Sequence, residues 1–246
     1  MSDLSGLEYG IVALCAVMVG FTKSGLPGLL ILVVPLMASV LPARTSVGIL
    51  LGMLILADVI AVVYYRHQVL WRHIFRLLPL ALAGIVVGYF GLRVVDDEQL
   101  KPLIGFIILV MLGINFWRTH AGGEDRPVPT QWWFAAVAGF MAGIMTMMAN
   151  AAGPIMMLYL LSMRLPKYQF VGTSAWFYFF VNWAKVPFSA NLSLMTLESV
   201  KLDLMMLPFI VIGAIAGIII LKRIPLEVFN HVIQILAVLA AIKLFF

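Results

Sequence analysis

Two lysines, one carboxylate and two side-chain amides stand inside otherwise apolar stretches of this sequence: Lys23, Asp58, Asn150, Asn182 and Lys185. Ammonium and amide N–H groups are donors, and donors gathered away from water hold an anion. A carboxylate in the same surroundings would repel that anion, so it should pair with a lysine or carry a proton. Asp58 is therefore the candidate for proton coupling. Ser174, Tyr178, Asn182 and Lys185 advance by four, four and three residues, which puts them on one helical face. A polar stripe on an apolar helix should face a bundle interior. Trp176 and Trp183 read as belt or packing residues. His67, His73, His120 and His231 lie in or near loops or at a span start and are expected to be solvated. The sequence holds no Cys/His cluster, HExxH or P-loop, so no catalytic residue, metal or cofactor is expected.

The elements that position these residues follow from length. A hydrocarbon core about 30 Å thick is crossed by about 20 helical residues. Clear single spans are Thr45–Tyr65, Leu77–Leu92, Pro102–Trp117, Tyr168–Ala184, Leu204–Leu221 and Pro225–Ile242. Tyr9–Leu41 carries one charge, Lys23, and Pro127–Met163 carries none. Each would exceed about 45 Å as one helix, so each must break. "TKSGLPG" (Thr22–Gly28) and "MMANAAGP" (Met147–Pro154) offer the breaks. The first supplies Lys23, Ser24, Gly25 and Gly28 as binding candidates; the second supplies Asn150 and Gly153. Pro27 and Pro154 suit the first position of the half-helices that follow. Half-helix N-termini present free N–H groups and partial positive charge, both suited to an anion. The two breaks are expected to meet, and Thr146 to bond within its own helix.

Composition agrees with this picture. The chain has 246 residues, 63% of them hydrophobic and 11% charged, against about 25% charged in a soluble domain. This is a multi-pass protein expected in the cell (inner or plasma) membrane, with the lipid bilayer as its partner. The net charge of +5 comes from single Lys and Arg residues between apolar runs. That is a topology signal and not a nucleic-acid surface. The acidic N-terminus lacks the basic region of a signal peptide. Lone Cys15 excludes a disulfide within the chain. A homo-oligomer fits such a chain.

The sequence also repeats. "LPARTSVG" (Leu41–Gly48) matches "LPKYQFVGTS" (Leu165–Ser174) at an offset of 124, which sets Asp58 on Asn182. "LPLALAGIVVG" (Leu78–Gly88) matches "LPFIVIGAIAG" (Leu207–Gly217) at an offset of 129. The expected architecture is all-α: two inverted repeats, each a broken or re-entrant helix pair followed by three transmembrane helices, about ten segments in all. Residues 1–118 form the first repeat, 119–131 a connecting loop and 132–246 the second. Arg66, Arg72, Arg76, Arg118, Arg126, Arg164, Lys167, Lys222 and Arg223 then share one face. The positive-inside rule makes that face cytoplasmic and puts both termini outside. Inverted repeats with interrupted helices place substrate sites near the midplane of secondary transporters.

"GFTKSGLPGLLILVVPLMASVLPARTSVG" and "AGIMTMMANAAGPIMMLYLLSMRLPKYQFVGTSAWF" resemble the two repeats of the TauE/SafE family of anion permeases. The resemblance covers essentially the whole chain. It implies transport of sulfite or organosulfonates. The breaks depart from the glycine runs of many members. The expected function is a secondary transporter of a small anion, with the substrate held at the two broken-helix N-termini. The alternatives are a proton-coupled importer of carboxylates or other small organic anions and, lower, a non-transporting scaffold or assembly factor. A membrane-embedded enzyme would need an acid with a His or Cys partner inside the spans, and the spans hold none.

Overall fold

A computed structural model describes residues 5–25, 29–96, 98–99, 102, 106, 109, 132–163, 165–221 and 223. Among them run eight helices and no strand: α1 Gly6–Ser24, α2 Leu30–Val40, α3 Ala43–Tyr65, α4 Trp71–Val94, α5 Trp132–Ala149, α6 Gly153–Ser162, α7 Lys167–Asn191 and α8 Leu197–Ile220. Five of them, α1, α3, α4, α5 and α8, are long and apolar enough to cross a membrane. Of the expected span Pro102–Trp117 only residues 102, 106 and 109 are described, all helical. Pro225–Ile242, the connecting loop, Pro27 and Gly28 lie outside the described residues.

Local chemistry sets the boundaries. Ser5 and Glu8 close a capping box on α1, with Glu8 Oε2 accepting from the Ser5 amide at 2.7 Å. Thr196 and Ser199 do the same for α8. Hence α8 begins at Leu197, seven residues before the expected Leu204, and takes Asp203 inside. Pro42 and Pro166 stand before α3 and α7 with nearly equal backbone angles (φ −52°, ψ 140° and φ −54°, ψ 144°). Pro187 does not end α7, which continues to Asn191. Lys185 therefore lies within the helix and is buried, not anchored at an interface.

Both long apolar stretches break where length demands. α1 stops at Ser24 and α2 resumes at Leu30; α5 stops at Ala149 and α6 resumes at Gly153. With 11 and 10 residues, α2 and α6 are about 16 and 15 Å long, half of what a crossing needs. Each directs its N-terminus at its break.

Helices α3 and α7 pair at the centre. Tyr65 meets Val171, Ala61 and Val62 meet Ala175, and Asp58 meets Asn182. One series falls as the other rises, so the two run antiparallel. Around them α1 packs chiefly on α8, and α4 on α5. Glycines let these backbones touch. A Cβ on Gly20 would strike Ile210, one on Gly213 would strike Val17, and one on Gly217 would strike Phe21. In the other pair, Gly143 faces Ala81, Gly84 faces Phe140, and Gly88 faces Ile144. Large apolar side chains such as Phe75, Phe90, Trp132, Leu204 and Ile212 point outward, as a lipid-facing surface requires.

This packing makes a direct prediction. Gly213→Val drives a branched side chain into the α1 backbone, which cannot rotate aside. It should cost about 3 kcal/mol, the upper range for overpacking. Gly10→Ala, where nothing lies within 4 Å, should be neutral or gain up to about 1 kcal/mol of helix propensity. Thermal unfolding of the two purified variants in one detergent checks the contrast.

Candidate functional site

The polar residues of the membrane interior assemble into one connected cluster. Lys23, at the last turn of α1, ion-pairs through Nζ with Asp58 Oδ1 of α3 at 2.7 Å. The same ammonium sits 4.0 Å from the Tyr178 ring centroid, a cation–π contact. Asp58 Oδ2 accepts from Asn182 Nδ2 of α7 at 2.6 Å. Asn182 Oδ1 accepts from Lys185 Nζ, one turn further on, at 3.2 Å. Lys185 Nζ also donates to Asn150 Oδ1 at 2.6 Å and to Thr146 Oγ1 at 3.1 Å. The three ammonium hydrogens of Lys185 thus have three acceptors, all neutral. Lys23 is 7% exposed, and Asp58, Thr146, Asn150, Asn182 and Lys185 are each 2% or less.

Asn150 explains why the second break holds an amide. Its φ of 53° is left-handed, and its N–H returns to Thr146 O at 3.0 Å, closing α5 with an αL cap. Asparagine tolerates that conformation, as glycine does, but also brings a side chain. Its Nδ2 donates to the Val47 carbonyl at 3.0 Å, leaving Oδ1 for Lys185.

The described ends of the two breaks bond to opposite ends of α3. Ser24 O, at the first, accepts from Tyr65 OH at the C-terminal end of α3, at 2.7 Å. Asn150, at the second, binds Val47 near the N-terminal end. Val47 and Tyr65 are about 27 Å apart along the helix axis at 1.5 Å per residue. Side chains bridge that interval: Lys23 and Asp58 from one side, Lys185 and Asn150 from the other.

Other candidates fall differently. Gly25 packs on Gly217 of α8, where a Cβ would collide with backbone. Gly153 opens α6, with nothing within 4 Å of where its Cβ would be. Ser24 is buried; its hydroxyl, like those of Thr22 and Tyr178, has no hydrogen-bond partner among the described residues. Ser174 is half-buried and outside the cluster; its neighbour Thr173 accepts instead from the Leu70 amide at 3.0 Å. Thr146, expected to bond within its own helix, has a hydroxyl that accepts from Lys185 on α7. His67 is exposed, as expected. His73 corrects the expectation of solvation: it is 1% exposed, with Nδ1 2.8 Å from Tyr159 OH. It joins the first turn of α4, which starts at Trp71 and not at Leu77. His120 and His231 lie outside the described residues. No group of three or more metal-ligating side chains occurs among the described residues.

A family model described as the sulfite exporter TauE/SafE matches residues 12–244. The chain belongs to the TauE/SafE family. Searches of curated proteins and of solved structures returned no match. TauE/SafE proteins are membrane transporters, in keeping with five apolar helices and a multi-pass chain. Reading this TauE/SafE sequence for spans leaves Asp203 just outside Leu204–Leu221 and gives Thr146 no part in the site. Thr146 lies one helical turn before Asn150, the spacing at which two side chains share a face. Asp203 falls within a capped helix, and the Thr196–Ser199 cap was its signal.

Proposed function

We propose that this chain is a secondary transporter of a small anion, sulfite or an organosulfonate, working by alternating access between two inverted repeats. Lys185 carries the reading. It is a buried ammonium held by three neutral oxygens, and an anionic oxygen is the stronger acceptor for it. An incoming anion takes the place of Asn150 Oδ1 or Asn182 Oδ1. The second N–H of each side-chain amide, with the first turn of α6 at Gly153, then donates to it. Lys23 and Asp58 cancel each other's charge, so the cluster carries one net positive charge and suits a monoanion.

The packing supports the repeats. Gly20 and Ile210 map onto Gly143 and Ala81 by adding 123 and subtracting 129; Val17 with Gly213 and Phe21 with Gly217 map likewise onto Phe140 with Gly84 and Ile144 with Gly88. Asp58 and Asn182 are equivalent positions and yet touch. Equivalent residues meet only on a two-fold axis, so the axis runs between α3 and α7. Two repeats rocking about such an axis expose its contents to each side in turn.

Flux into proteoliposomes tests the reading. Radiolabelled sulfite and methanesulfonate should enter saturably and compete with each other, and sulfate should compete poorly. Absence of flux for sulfite, sulfonates and small carboxylates alike from well-folded protein would overturn it.

A further inference from the structure

Asp203 belongs to none of this. It lies on α8, packed on α3, with its side chain pressed against Gly52. Any Cβ at position 52 would collide with Asp203 Oδ2. The residue is 2% exposed, and neither carboxylate oxygen has a hydrogen-bond partner among the described residues. The ionisable side chains of α8 itself, Glu198 and Lys201, are exposed. On α3 they are Arg44, Asp58, Tyr64 and Tyr65; on α1 they are Glu8, Tyr9, Cys15 and Lys23. Among the described residues none of them is hydrogen-bonded to the Asp203 carboxyl. Asp58 is the contrast, with Lys23 and Asn182 on its two oxygens.

An ionised carboxylate buried without a hydrogen-bond partner or counter-charge costs far more than a neutral acid. A metal cation would ask for six or more oxygen ligands, and the apolar wall of Gly52 supplies none. A proton needs one oxygen. The site is also not inherited from the repeat. At the offsets of 124 and 129, Gly52 corresponds to Trp176 and Asp203 to Ile74. Position 176 carries an indole there, its ring 5.1 Å from that of Trp71.

We propose that Asp203 is a proton-binding site of this transporter: it holds a proton while α8 lies on Gly52 and releases it to water when α8 and α3 separate. One proton then travels with each monoanion, and the step moves no net charge. The flux consequence rests on the anion reading above; the protonation itself does not.

Infrared spectroscopy separates the two. Protein carrying carbonyl-labelled aspartate should show, at neutral pH, an isotope-shifted carboxylic-acid C=O band that Asp203→Asn removes. In proteoliposomes, a one-unit inward pH gradient should accumulate methanesulfonate about tenfold, since one proton at that gradient is worth a factor of ten. A potassium diffusion potential should leave wild-type flux unchanged. Asp203→Asn, permanently neutral, should lose the pH dependence and become driven by the potential. Absence of the labelled acid band overturns the proposal whether or not any anion moves. So does its loss on adding sodium at fixed pH, or pH-driven accumulation that survives Asp203→Asn. If the variant carries no flux, the wild-type band decides.

Discussion

Replacing Lys185 with methionine is expected to lower sulfite or methanesulfonate flux about a hundredfold at low substrate, with the fold retained. The expectation follows from what surrounds the ammonium. Thr146, Asn150 and Asn182 are neutral, and each keeps other chances to hydrogen-bond when the cation goes. Asn182 retains Asp58, and Asn150 retains Val47. Methionine keeps the unbranched chain and fills the same volume. The fold therefore loses a modest amount, whereas the anion loses its one uncompensated positive charge. Removing one partner of a buried charge-assisted contact costs about 2–5 kcal/mol, and about 3 kcal/mol is roughly a hundredfold. Lys185→Arg should not rescue: a planar guanidinium is larger and cannot place three donors on three oxygens around one nitrogen. Initial rates in proteoliposomes, beside size-exclusion profiles of each variant, check both. Wild-type flux in folded Lys185→Met would remove Lys185 from the site.

The sequence exposes some of this arrangement and hides the rest for physical reasons. Both breaks are legible because chain length and bilayer thickness are incompatible with a single helix, whatever the tertiary structure. The face carrying Tyr178, Asn182 and Lys185 is legible because helical periodicity is local. Ser174 shares the periodicity but sits too far along α7 to join, and periodicity alone cannot tell where a stripe stops being used. Asp58 was predicted to pair with a lysine or carry a proton; choosing between them requires knowing that α1 ends beside the C-terminal half of α3. His73 and Asp203 are legible only through helix starts. Extending α4 to Trp71 buries the one, and beginning α8 at its Thr196 cap buries the other. Gly52 reads as a generic membrane glycine until the carboxylate opposite is known.

The pair formed by Lys23 and Asp58 should behave as a unit, and this gives the second large effect. Lys23→Met leaves Asp58 buried with only Asn182 to hold its charge. Breaking a buried pair from one side costs about 3–5 kcal/mol, because the other charge stays. Asp58→Asn leaves Lys23 above the face of Tyr178, where the cation–π contact offsets part of the loss, so it should cost less. The double variant Lys23→Met with Asp58→Asn removes both charges and both desolvation costs, and buried pairs replaced together are often neutral. Its thermal stability should return most of the way to wild type, giving a strong favourable coupling in the double-mutant cycle. Flux separates two roles for Lys23 that a single substitution confounds. If Lys23 serves to neutralise Asp58 and hold α1 to α3, flux in the double variant recovers to within roughly tenfold of wild type, a loss of about 1.4 kcal/mol. If the anion itself bound Lys23, stability would recover and flux would not. With Nζ 2.7 Å from Asp58 Oδ1 and its charge already met, we expect recovery of both, leaving Lys185 as the cation that faces the substrate.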